Sequence, residues 1–531
     1  MVQIEFLIFI LWLVQASYQV LVWVYWIQTK EYRSDRFQVM FKSPEGRYEL
    51  GTGLLFVKYF LLLMTPFVNY SFNIYLLVIF WLVFWGTQKV IKRQSRRPVF
   101  TQRATRIIAT AFLVATVVFV FFSNSSSYLH YLILESSLFI GLIFGVYWTG
   151  IVSRKVLAQE LNEATKRLDQ IKPLVIGITG SYGKTTTKDF VTQLLARKYK
   201  VERTVGSQNT LFGVVRKINT NFSPDTKIFV AEMGAYKLGE IQSMCKLLQP
   251  KIGIITGIEL QHIELFRSLE NIKHAKFELI ESLEKNGIAI FNLNNKECVA
   301  LQNTARLVRP DLRIFGYKTS AKFEKEHNII YSKVISDTSN VIKFKVGYQQ
   351  SIHEFKVRLS GTHFIENLTA AILVAREMQV SWEEIGKSIT RLALPSKTMS
   401  IQKLTTGDIL IDDTYNSTPI GFKSALNYLF TFTNKNKYIA TTGIIELGNK
   451  AYEVHTELGN LMKRKVKRIY LRNGEFANSI KIGLGSDAHR LEVVDDMQRL
   501  YIKLKHKLDG NSVLLLEGKL PESFIGKIKS I

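Results

Sequence analysis

Residues 174–187 read Leu-Val-Ile-Gly-Ile-Thr-Gly-Ser-Tyr-Gly-Lys-Thr-Thr-Thr, and this segment indicates the architecture of the chain. Its first half is an apolar run typical of a buried strand, and a helical pattern continues after it to Leu195. The glycines between strand and helix leave room for an anion, which backbone N–H groups and the helix dipole attract. The segment therefore predicts a phosphate-binding loop in an α/β fold.

The loop supplies the first candidate site residues. Lys184 is placed to reach the β- and γ-phosphates of a nucleotide, and the Thr185 hydroxyl is placed to bind Mg²⁺. The fit to the generic phosphate loop is imperfect, because Ile178 stands where that pattern has its first glycine. The predicted nucleotide contacts from this segment are Gly180, Ser181, Gly183, Lys184, Thr185 and Thr186.

Upstream of this segment the chain is strongly apolar. Five apolar stretches alternate with short polar or basic segments, and we predict them to be membrane spans. Positive charges concentrate in the loops after the first stretch and before the fourth, which places the N-terminus outside and everything after residue 152 in the cytoplasm. The alternative is a set of helices buried in a soluble core. The five stretches are 6–27, 54–68, 72–85, 107–122 and 132–152.

Two ionisable residues, Lys58 and Glu135, fall inside these stretches. A charge in the apolar part of a bilayer is costly and often functional. We expect Lys58 to extend its ammonium group to the membrane surface. For Glu135 two interpretations stay open, namely a protein partner or a lipid head group.

Composition limits the remaining possibilities. Apolar residues make up 47% of the chain and aromatic residues 12%, which excludes wholesale disorder. The net charge is +7 over residues 1–151 and +19 over the rest, but lysine and arginine are scattered without an aromatic-rich basic motif, so no nucleic-acid partner is expected. Two cysteines, Cys245 and Cys298, cannot form a disulfide framework or a four-thiolate zinc site, and they indicate a reducing compartment.

The segment 153–172 joins the apolar part to the phosphate loop and is predicted to be an amphipathic linker helix. Its apolar residues recur at a heptad-like spacing. Because the pattern covers fewer than three heptads, packing against the rest of the chain or lying on the bilayer is favoured over a coiled coil. The apolar positions are Leu157, Leu161, Ala164, Leu168 and Ile171.

Two further candidates follow apolar strands. Glu232 ends the run that begins at residue 228, and His262 follows the run 252–255. The carboxyl ends of parallel strands meet at one edge of a sheet, so we expect both side chains near the phosphate loop, where a carboxylate can bind a metal ion. Taken singly, each of these residue types is more often structural.

These segments, with several that follow, occur in the order found in the Mur ligases, and the chain resembles that family over residues 173–530. Within the family it resembles the UDP-N-acetylmuramoyl-tripeptide:D-alanyl-D-alanine ligases, which share the departure at Ile178. Seven motifs in order carry the resemblance. They are the phosphate loop, 206–214 (GSQNTLFGV), 231–241 (AEMGAYKLGEI), 261–266 (QHIELF), 275–278 (AKFE), 361–367 (GTHFIEN) and 412–419 (DDTYNSTP).

The resemblance implies an activity and its site. In the family, ATP phosphorylates a carboxylate to an acyl phosphate, and an amine then attacks it to form an amide. Two magnesium ions assist, and the lysine at the position of Lys276 is carbamylated so that it bridges them; the alternative for Lys276 is an ordinary solvated lysine. The resemblance assigns catalytic roles to Lys184, Glu232, His262 and Lys276, and metal binding to Thr185, Glu232, His262 and Lys276.

The resemblance also implies binding roles further along the chain. Asn292 matches a contact to adenine, with an ordinary loop asparagine as the alternative, and Asp413 matches a contact of the C-terminal domain to the nucleotide. The expected partners are an anionic cell-wall precursor, either UDP-linked or lipid-linked, and an amino acid or dipeptide that supplies the amine. The implied substrate contacts are Asn209, His363, Asn367, Tyr415 and Asn416.

Departures from the family concentrate on the substrate side. The five apolar stretches occupy the place of the soluble domain that binds the UDP sugar nucleotide. The usual Gly-Arg pair before the last domain is absent around Lys397, and the loop at Glu446 is one residue shorter and lacks its aspartate. The run 516–519, Leu-Glu-Gly-Lys, replaces the family's Lys-Gly-Ser-Arg. The sequence therefore predicts the reaction class more firmly than the amine.

The predicted architecture is an N-terminal α-helical membrane domain followed by two α/β domains. We expect an ATP-dependent carboxylate–amine ligase of peptidoglycan synthesis, with its ligase domains at the cytoplasmic face of the cell membrane. The alternatives are a membrane-bound poly-γ-glutamate-type synthase and a non-catalytic ATP-binding membrane scaffold. The predicted limits are 1–152 for the membrane domain, 153–172 for the linker, 173–395 for the central ATP-binding domain and 396–531 for the Rossmann-like C-terminal domain.

Overall fold

A computed structural model of the chain divides into two compact units, Met1–Gln159 and Glu160–Ile531, and each is described by itself. The structure describes residues 2–30, 32–42, 52–64, 67, 71–91, 97–122, 127–206, 208–260, 263–320, 328–338, 341–359, 361–394, 399–414, 417–445, 447–472 and 474–531.

The first unit is helical, and each of the five predicted apolar stretches overlaps one of its helices. A short amphipathic helix follows the first of them. The helices are α1 (Val2–Thr29), α2 (Ser34–Lys42), α3 (Thr52–Met64), α4 (Ser71–Ile91), α5 (Gln102–Phe121) and α6 (Ser127–Ile171).

Within the part of the chain that the structure describes, three helical segments are long and apolar enough to cross a membrane. They are Phe6–Thr29, Gln102–Phe121 and His130–Ile171, and Asn73–Gln88 is a shorter apolar segment. The second predicted stretch, 54–68, runs past the end of α3 into residues outside the described part. The five-span topology therefore stays a prediction.

The prediction that Lys58 extends to a membrane surface is wrong. Its side chain is 1% exposed, and its ammonium group forms an ion pair with Glu135 of α6. The same ammonium donates a 3.0 Å hydrogen bond to Oε1 of Gln15 on α1. Glu135 therefore faces a protein partner, because two opposite charges in an apolar core compensate a desolvation cost that neither could bear alone.

The second unit begins with a nine-stranded sheet in the order β2-β3-β1-β4-β5-β6-β7-β8-β9. Neighbours are parallel as far as β7, and β7, β8 and β9 pair antiparallel. The strands are β1 (Leu174–Thr179), β2 (Val201–Arg203), β3 (Ile228–Glu232), β4 (Ile252–Ile255), β5 (Ile288–Asn292), β6 (Arg313–Thr319), β7 (Ile329–Thr338), β8 (Val341–Tyr348) and β9 (Ser351–Val357).

The central strands of this sheet are buried, as expected for parallel strands covered by helices. β1 lies between β3 and β4, and the register that pairs Ile178 with Glu232 brings this carboxylate to the start of the glycine loop. The helices of this part are α7 (Lys184–Leu195), α8 (Leu211–Thr220), α9 (Glu240–Leu248), α10 (Ile263–Phe266), α11 (Leu269–Glu281), α12 (Lys296–Val308), α13 (Phe364–Glu377) and α14 (Trp382–Ile389).

A six-stranded sheet follows in the order β10-β11-β15-β12-β13-β14, with only β10 antiparallel to its neighbour among the described strands. Its strands are β10 (Ser400–Lys403), β11 (Ile409–Asp413), β12 (Asn436–Thr441), β13 (Arg468–Leu471), β14 (Leu491–Val493) and β15 (Ser512–Glu517). Its helices are α15 (Pro419–Phe430), α16 (Ala451–Met462), α17 (Ala477–Leu484), α18 (Met497–Lys505) and α19 (Glu522–Lys529).

The predicted linker is the end of α6 rather than a separate helix. Ala164 and Leu168 are buried in one apolar cluster with Ile218 of α8. The Arg167 guanidinium donates a 3.3 Å hydrogen bond to the carbonyl oxygen of Ile218. The stripe from Leu161 to Ile171 therefore packs against the α/β layer. The predicted domain limits stay predictions, and the one at residue 395 lies outside the described residues.

Candidate active site

The glycine loop has the shape that its sequence predicts. Gly183 has a φ of 75°, a left-handed conformation that favours glycine, and it caps the N-terminus of α7. A Cβ atom at this position would lie 2.5 Å from Oδ1 of Asn367, so a side chain would close the loop. Gly180 is equally restricted, because its Cβ would lie 2.2 Å from Oγ1 of Thr256. Glycine at these two positions thus keeps the loop compact beside the helix N-terminus, where an anion binds.

Lys184 lies across this loop. Its ammonium group donates to the carbonyl oxygens of Gly180, at 2.8 Å, and of Ser181, at 3.3 Å. Burial lowers the pKa of Lys184, and the nearby Glu232 carboxylate opposes that shift. An arriving phosphate would restore a negative partner to this ammonium, which is the role that the sequence predicts for Lys184.

Glu232 is the centre of the polar contacts beside the loop. Its Oε2 accepts hydrogen bonds from the Thr185 hydroxyl, at 2.9 Å, and from the Lys188 ammonium, at 3.0 Å. Its Oε1 accepts from the amide nitrogen of Asn209 at 3.3 Å. The structure therefore brings together Thr185, Glu232 and Asn209, which lie far apart in the sequence.

Lys188 was not among the sequence-predicted site residues. It lies one helical turn after Lys184, and its side chain is 1% exposed in the ion pair with Glu232. The i, i+4 spacing within the phosphate-loop helix was the available signal. What the sequence could not indicate is that a strand more than forty residues away supplies the counterion.

The donor set beside the loop suits a hard cation. A hydroxyl and a carboxylate are ligands that Mg²⁺ accepts, and this ion commonly takes one or two protein ligands and completes its shell with phosphate and water. Among the described residues, no group of three or more His, Cys, Asp or Glu side chains could hold a metal ion by itself. Thr185 and Glu232 therefore fit an ion that arrives with a nucleotide rather than a dedicated protein cage.

Lys276 is buried on α11, with 3% of its surface exposed. Desolvation and the nearby Lys184 charge lower the pKa of Lys276 to about 7, against the opposing influence of Glu240 and Glu278. Its ammonium lies 5.8 Å from the ring centroid of Phe266. Lys276 is therefore not a solvated surface lysine. With this pKa, much of its amine is neutral at pH 7.

Three predicted site residues, His262, Tyr415 and Asn416, lie outside the described residues. His363 precedes α13, and desolvation lowers the pKa of its ring to about 4, so it is neutral at physiological pH. Asn367 accepts a 3.1 Å hydrogen bond from the Thr187 hydroxyl, which places it against the phosphate loop. Substrate binding by Asn209, His363 and Asn367 stays a prediction.

Asp413 lies at the end of β11, directly beside the last residue of β15, Glu517. Burial raises the pKa of Asp413 to about 6, with the Met399 amide and Glu517 opposing the shift. Burial and the Asp413 charge raise the pKa of Glu517 well above its ordinary range. Ser417 donates a 2.7 Å hydrogen bond to Oε1 of Glu517. Two buried carboxyl groups with raised pKa values therefore lie side by side at this sheet edge.

Comparison with known proteins shows which family this chain resembles. Residues 178–375 match the Mur ligase middle domain, and the predicted resemblance to the Mur ligases is confirmed. Similar curated proteins are UDP-N-acetylmuramoyl-tripeptide--D-alanyl-D-alanine ligases. That of Bacillus subtilis is 28% identical over 306 residues, which cover 57% of this chain and 63% of the relative. That of Borreliella burgdorferi is 29% identical over 304 residues, 57% of this chain and 62% of the relative. The chain thus spans less than two thirds of the length of these relatives.

Solved structures agree on the fold of the α/β part. MurF from Acinetobacter baumannii matches with a TM-score of 0.62 and 24% identity, over 71% of this chain and 81% of that protein. MurF from Thermotoga maritima, solved in complex with ADP, matches with a TM-score of 0.58 and 22% identity, over 70% of this chain and 82% of that protein. The Mur ligase fold predicted for the two α/β domains is confirmed.

Proposed function

We propose that the chain is an ATP-dependent ligase that joins D-alanyl-D-alanine, or a related amine, to a muramyl-peptide precursor in peptidoglycan synthesis. The observation that carries the proposal is the convergence of Lys184, Thr185 and Glu232 on the N-terminus of α7, with the buried Lys276 in electrostatic contact with Lys184. The names of the curated relatives support the choice of substrates.

The first chemical step is phosphoryl transfer. The glycine-loop amides and Lys184 hold the β- and γ-phosphates and neutralise the charge that develops on them. An oxygen of the acceptor carboxylate attacks the γ-phosphorus, the bond to the β-phosphate oxygen breaks, and ADP leaves. Thr185 and Glu232 would hold Mg²⁺, which supplies further charge neutralisation at the transferred phosphoryl group.

The second step is amide formation. The incoming amine attacks the carbonyl carbon of the acyl phosphate, loses a proton, and expels inorganic phosphate as the tetrahedral intermediate collapses. No side-chain nucleophile is needed, so the chain's task is to orient both substrates and exclude water. Asp413 and Glu517, at the edge of the second sheet, are candidates for contacts on this side.

Lys276 is proposed to act as a carbamate. A neutral lysine amine adds to CO₂ and releases a proton, which converts a cation into a carboxylate-like anion. Its lowered pKa supports this, because the neutral amine is the reactive form. The carbamate would also replace the repulsion between Lys276 and Lys184 by attraction.

The membrane part completes the proposal. We propose that the N-terminal helices span the cell membrane and hold the ligase domains at its cytoplasmic face. The three long apolar helical segments support this. The acceptor would then be a lipid-linked or UDP-linked precursor that meets the enzyme at the bilayer surface.

The test is phosphate release by purified, detergent-solubilised protein with ATP and Mg²⁺. UDP-linked and lipid-linked muramyl peptides are combined with D-alanyl-D-alanine, single amino acids and glutamate, and product masses are recorded. Lys184→Ala should abolish turnover, whereas Lys166→Ala, an exposed lysine on α6, should leave it unchanged. Phosphate release and a product that require one acid and one amine together support the ligase. Tight ATP binding without stimulated turnover across the panel would falsify it.

A further inference from the structure

A polar network lies at the carboxyl edge of the nine-stranded sheet, and its centre is Glu366 in the first turn of α13. Oε1 of Glu366 accepts a 2.5 Å hydrogen bond from the side-chain amide of Asn292, at the end of β5. Oε2 accepts a 2.7 Å hydrogen bond from the side-chain amide of Asn294. Asn294 also donates to the hydroxyl of Thr319, at the end of β6. Two neutral amides, from the end of β5 and the turn after it, therefore hold one carboxylate.

The network adjoins the phosphate loop on two sides. Asn367, the residue after Glu366, has its Oδ1 2.5 Å from the position that a Cβ on Gly183 would take. Asn292 donates a 2.7 Å hydrogen bond to the carbonyl oxygen of Thr256, which follows the strand next to β1. A nucleotide with its phosphates at the loop thus has the network within reach along the sheet edge.

Asn292, which the sequence singled out as an adenine contact, is committed to the protein. Its side-chain amide donates to both Thr256 and Glu366, and its Oδ1 accepts a 2.9 Å hydrogen bond from the backbone of Asn294. The residue is fully buried. Glu366 is only partly buried, and each of its oxygens keeps a second lone pair. An incoming donor would therefore meet Glu366 rather than Asn292.

The phenol of Tyr182 lies near the turn that carries this network. Tyr182 belongs to the glycine loop, and burial followed by the Glu366 charge raises the pKa of its phenol. The side-chain amide of Asn295 lies 3.4 Å from the phenol oxygen. An aromatic residue of the glycine loop in the same region as a carboxylate acceptor suits a nucleobase, which stacks through its π-face and donates through its edge.

We propose that Glu366 selects the base of the nucleotide by accepting a hydrogen bond from an amino group on the base edge, such as the 6-amino group of adenine. This inference rests on the proposed function, since it concerns the nucleotide of the same site. Only neutral amides donate to the partly desolvated carboxylate within the network described here, so a further donor is favourable. A hydrogen bond to a charged acceptor raises the affinity for a ligand by about tenfold or more.

The test compares ADP with purine riboside diphosphate, which lacks the 6-amino group, by titration calorimetry on the full-length detergent-solubilised protein. The unsubstituted protein should bind ADP about tenfold more tightly than the purine analogue. Glu366→Gln should reduce this preference to about twofold or less, because a neutral amide is a weaker acceptor. Glu383→Gln, at an exposed position on α14, should keep the full preference. Thermal unfolding without nucleotide verifies that each variant is folded.

The outcomes separate this inference from the proposed function. An equal preference for ADP in the unsubstituted protein and in Glu366→Gln overturns the inference and leaves the ligase standing. Binding of neither nucleotide by the unsubstituted protein overturns both. Asn294→Ala removes one donor to Glu366 but keeps the carboxylate, so the preference should survive. Loss of the preference in Asn294→Ala, with retention in Glu366→Gln, assigns base recognition to Asn294 instead.

Discussion

The hydroxyl of Thr185 donates a 2.9 Å hydrogen bond to the Glu232 carboxylate oxygen that also accepts the Lys188 ammonium. This contact joins the first turn of α7 to the end of β3. A divalent cation bound by Thr185 and Glu232 would compete with Lys188 for that oxygen. The buried ion pair is therefore part of the site's electrostatic balance as well as of its packing.

Lys188→Met tests this balance. Removing one partner of a buried ion pair leaves an uncompensated carboxylate, and we expect a loss of about 3–5 kcal/mol in the free energy of unfolding. Added Mg²⁺ and ADP should raise the melting temperature of the variant more than that of the unsubstituted protein, because the cation replaces the missing charge. Equal increases in melting temperature in the two proteins would contradict this account.

Lys276→Arg tests the proposed carbamate. Arginine keeps the positive charge but remains protonated and cannot add to CO₂, so turnover should fall by about 100-fold or more, on the scale of losing a transition-state contact. In the unsubstituted protein, turnover after CO₂ depletion should recover on adding bicarbonate. Recovery should be greater above pH 7, where the Lys276 amine is mostly neutral. Bicarbonate-independent turnover at all pH values would argue against the carbamate.

Glu517→Gln tests the raised pKa values of the two carboxyl groups at the ends of β11 and β15. The folded-state pKa of Asp413, at about 6, and that of Glu517 are raised, so the folded protein binds more protons than the unfolded chain above about pH 4. The contribution of this pair to stability is therefore present at low pH and is lost as pH rises through the folded pKa values.

Glutamine mimics the protonated form of Glu517 at every pH. The stability of the variant relative to the unsubstituted protein should therefore increase between pH 5 and pH 8, as measured by chemical unfolding. Glu383→Gln, an exposed carboxyl replacement, serves as the control and should show no such trend. A pH-independent difference for Glu517→Gln would mean that the pKa of Glu517 is not raised in the folded protein.

The Lys58–Glu135 ion pair predicts a thermodynamic cycle. Lys58→Met or Glu135→Leu alone should each lower the free energy of unfolding by about 3–5 kcal/mol, because a buried charge is left unpaired. The double variant should recover most of that loss. Melting in detergent measures the cycle, and Lys155→Met, at an exposed position of α6, is the control. Additive losses in the double variant would mean that the two charges do not compensate each other.

The fold of the α/β part was largely readable from local pattern. The run 174–187 contains a strand, a turn that requires glycine and a helix start, and each of these signals is local. The ends of individual elements were less predictable. The predicted linker is continuous with the fifth apolar stretch in one 45-residue helix, because no glycine or proline ends the helix between them.

The sequence predicted several residues of the site but not the contacts between them. Lys184, Thr185 and Glu232 follow from motif and strand position, whereas Lys188, Glu366 and Glu517 acquire their roles through neighbours that are 44, 74 and 104 residues away. Asn292 shows the difference, since the adenine contact that the family resemblance implies stays a prediction, whereas the structure shows that its side-chain amide donates to Thr256 and Glu366.

The sequence by itself determined the apolar N-terminal part, the phosphate loop and the order of motifs, because periodicity, glycine requirements and charge are properties of neighbouring residues. Only the tertiary structure decided which ionisable groups lie beside each other. Lys58 meets Glu135, Lys188 meets Glu232, and Asp413 meets Glu517. Strand order and helix packing determine these contacts. The energy of a buried charge depends on its partner in space rather than on its neighbours in the chain.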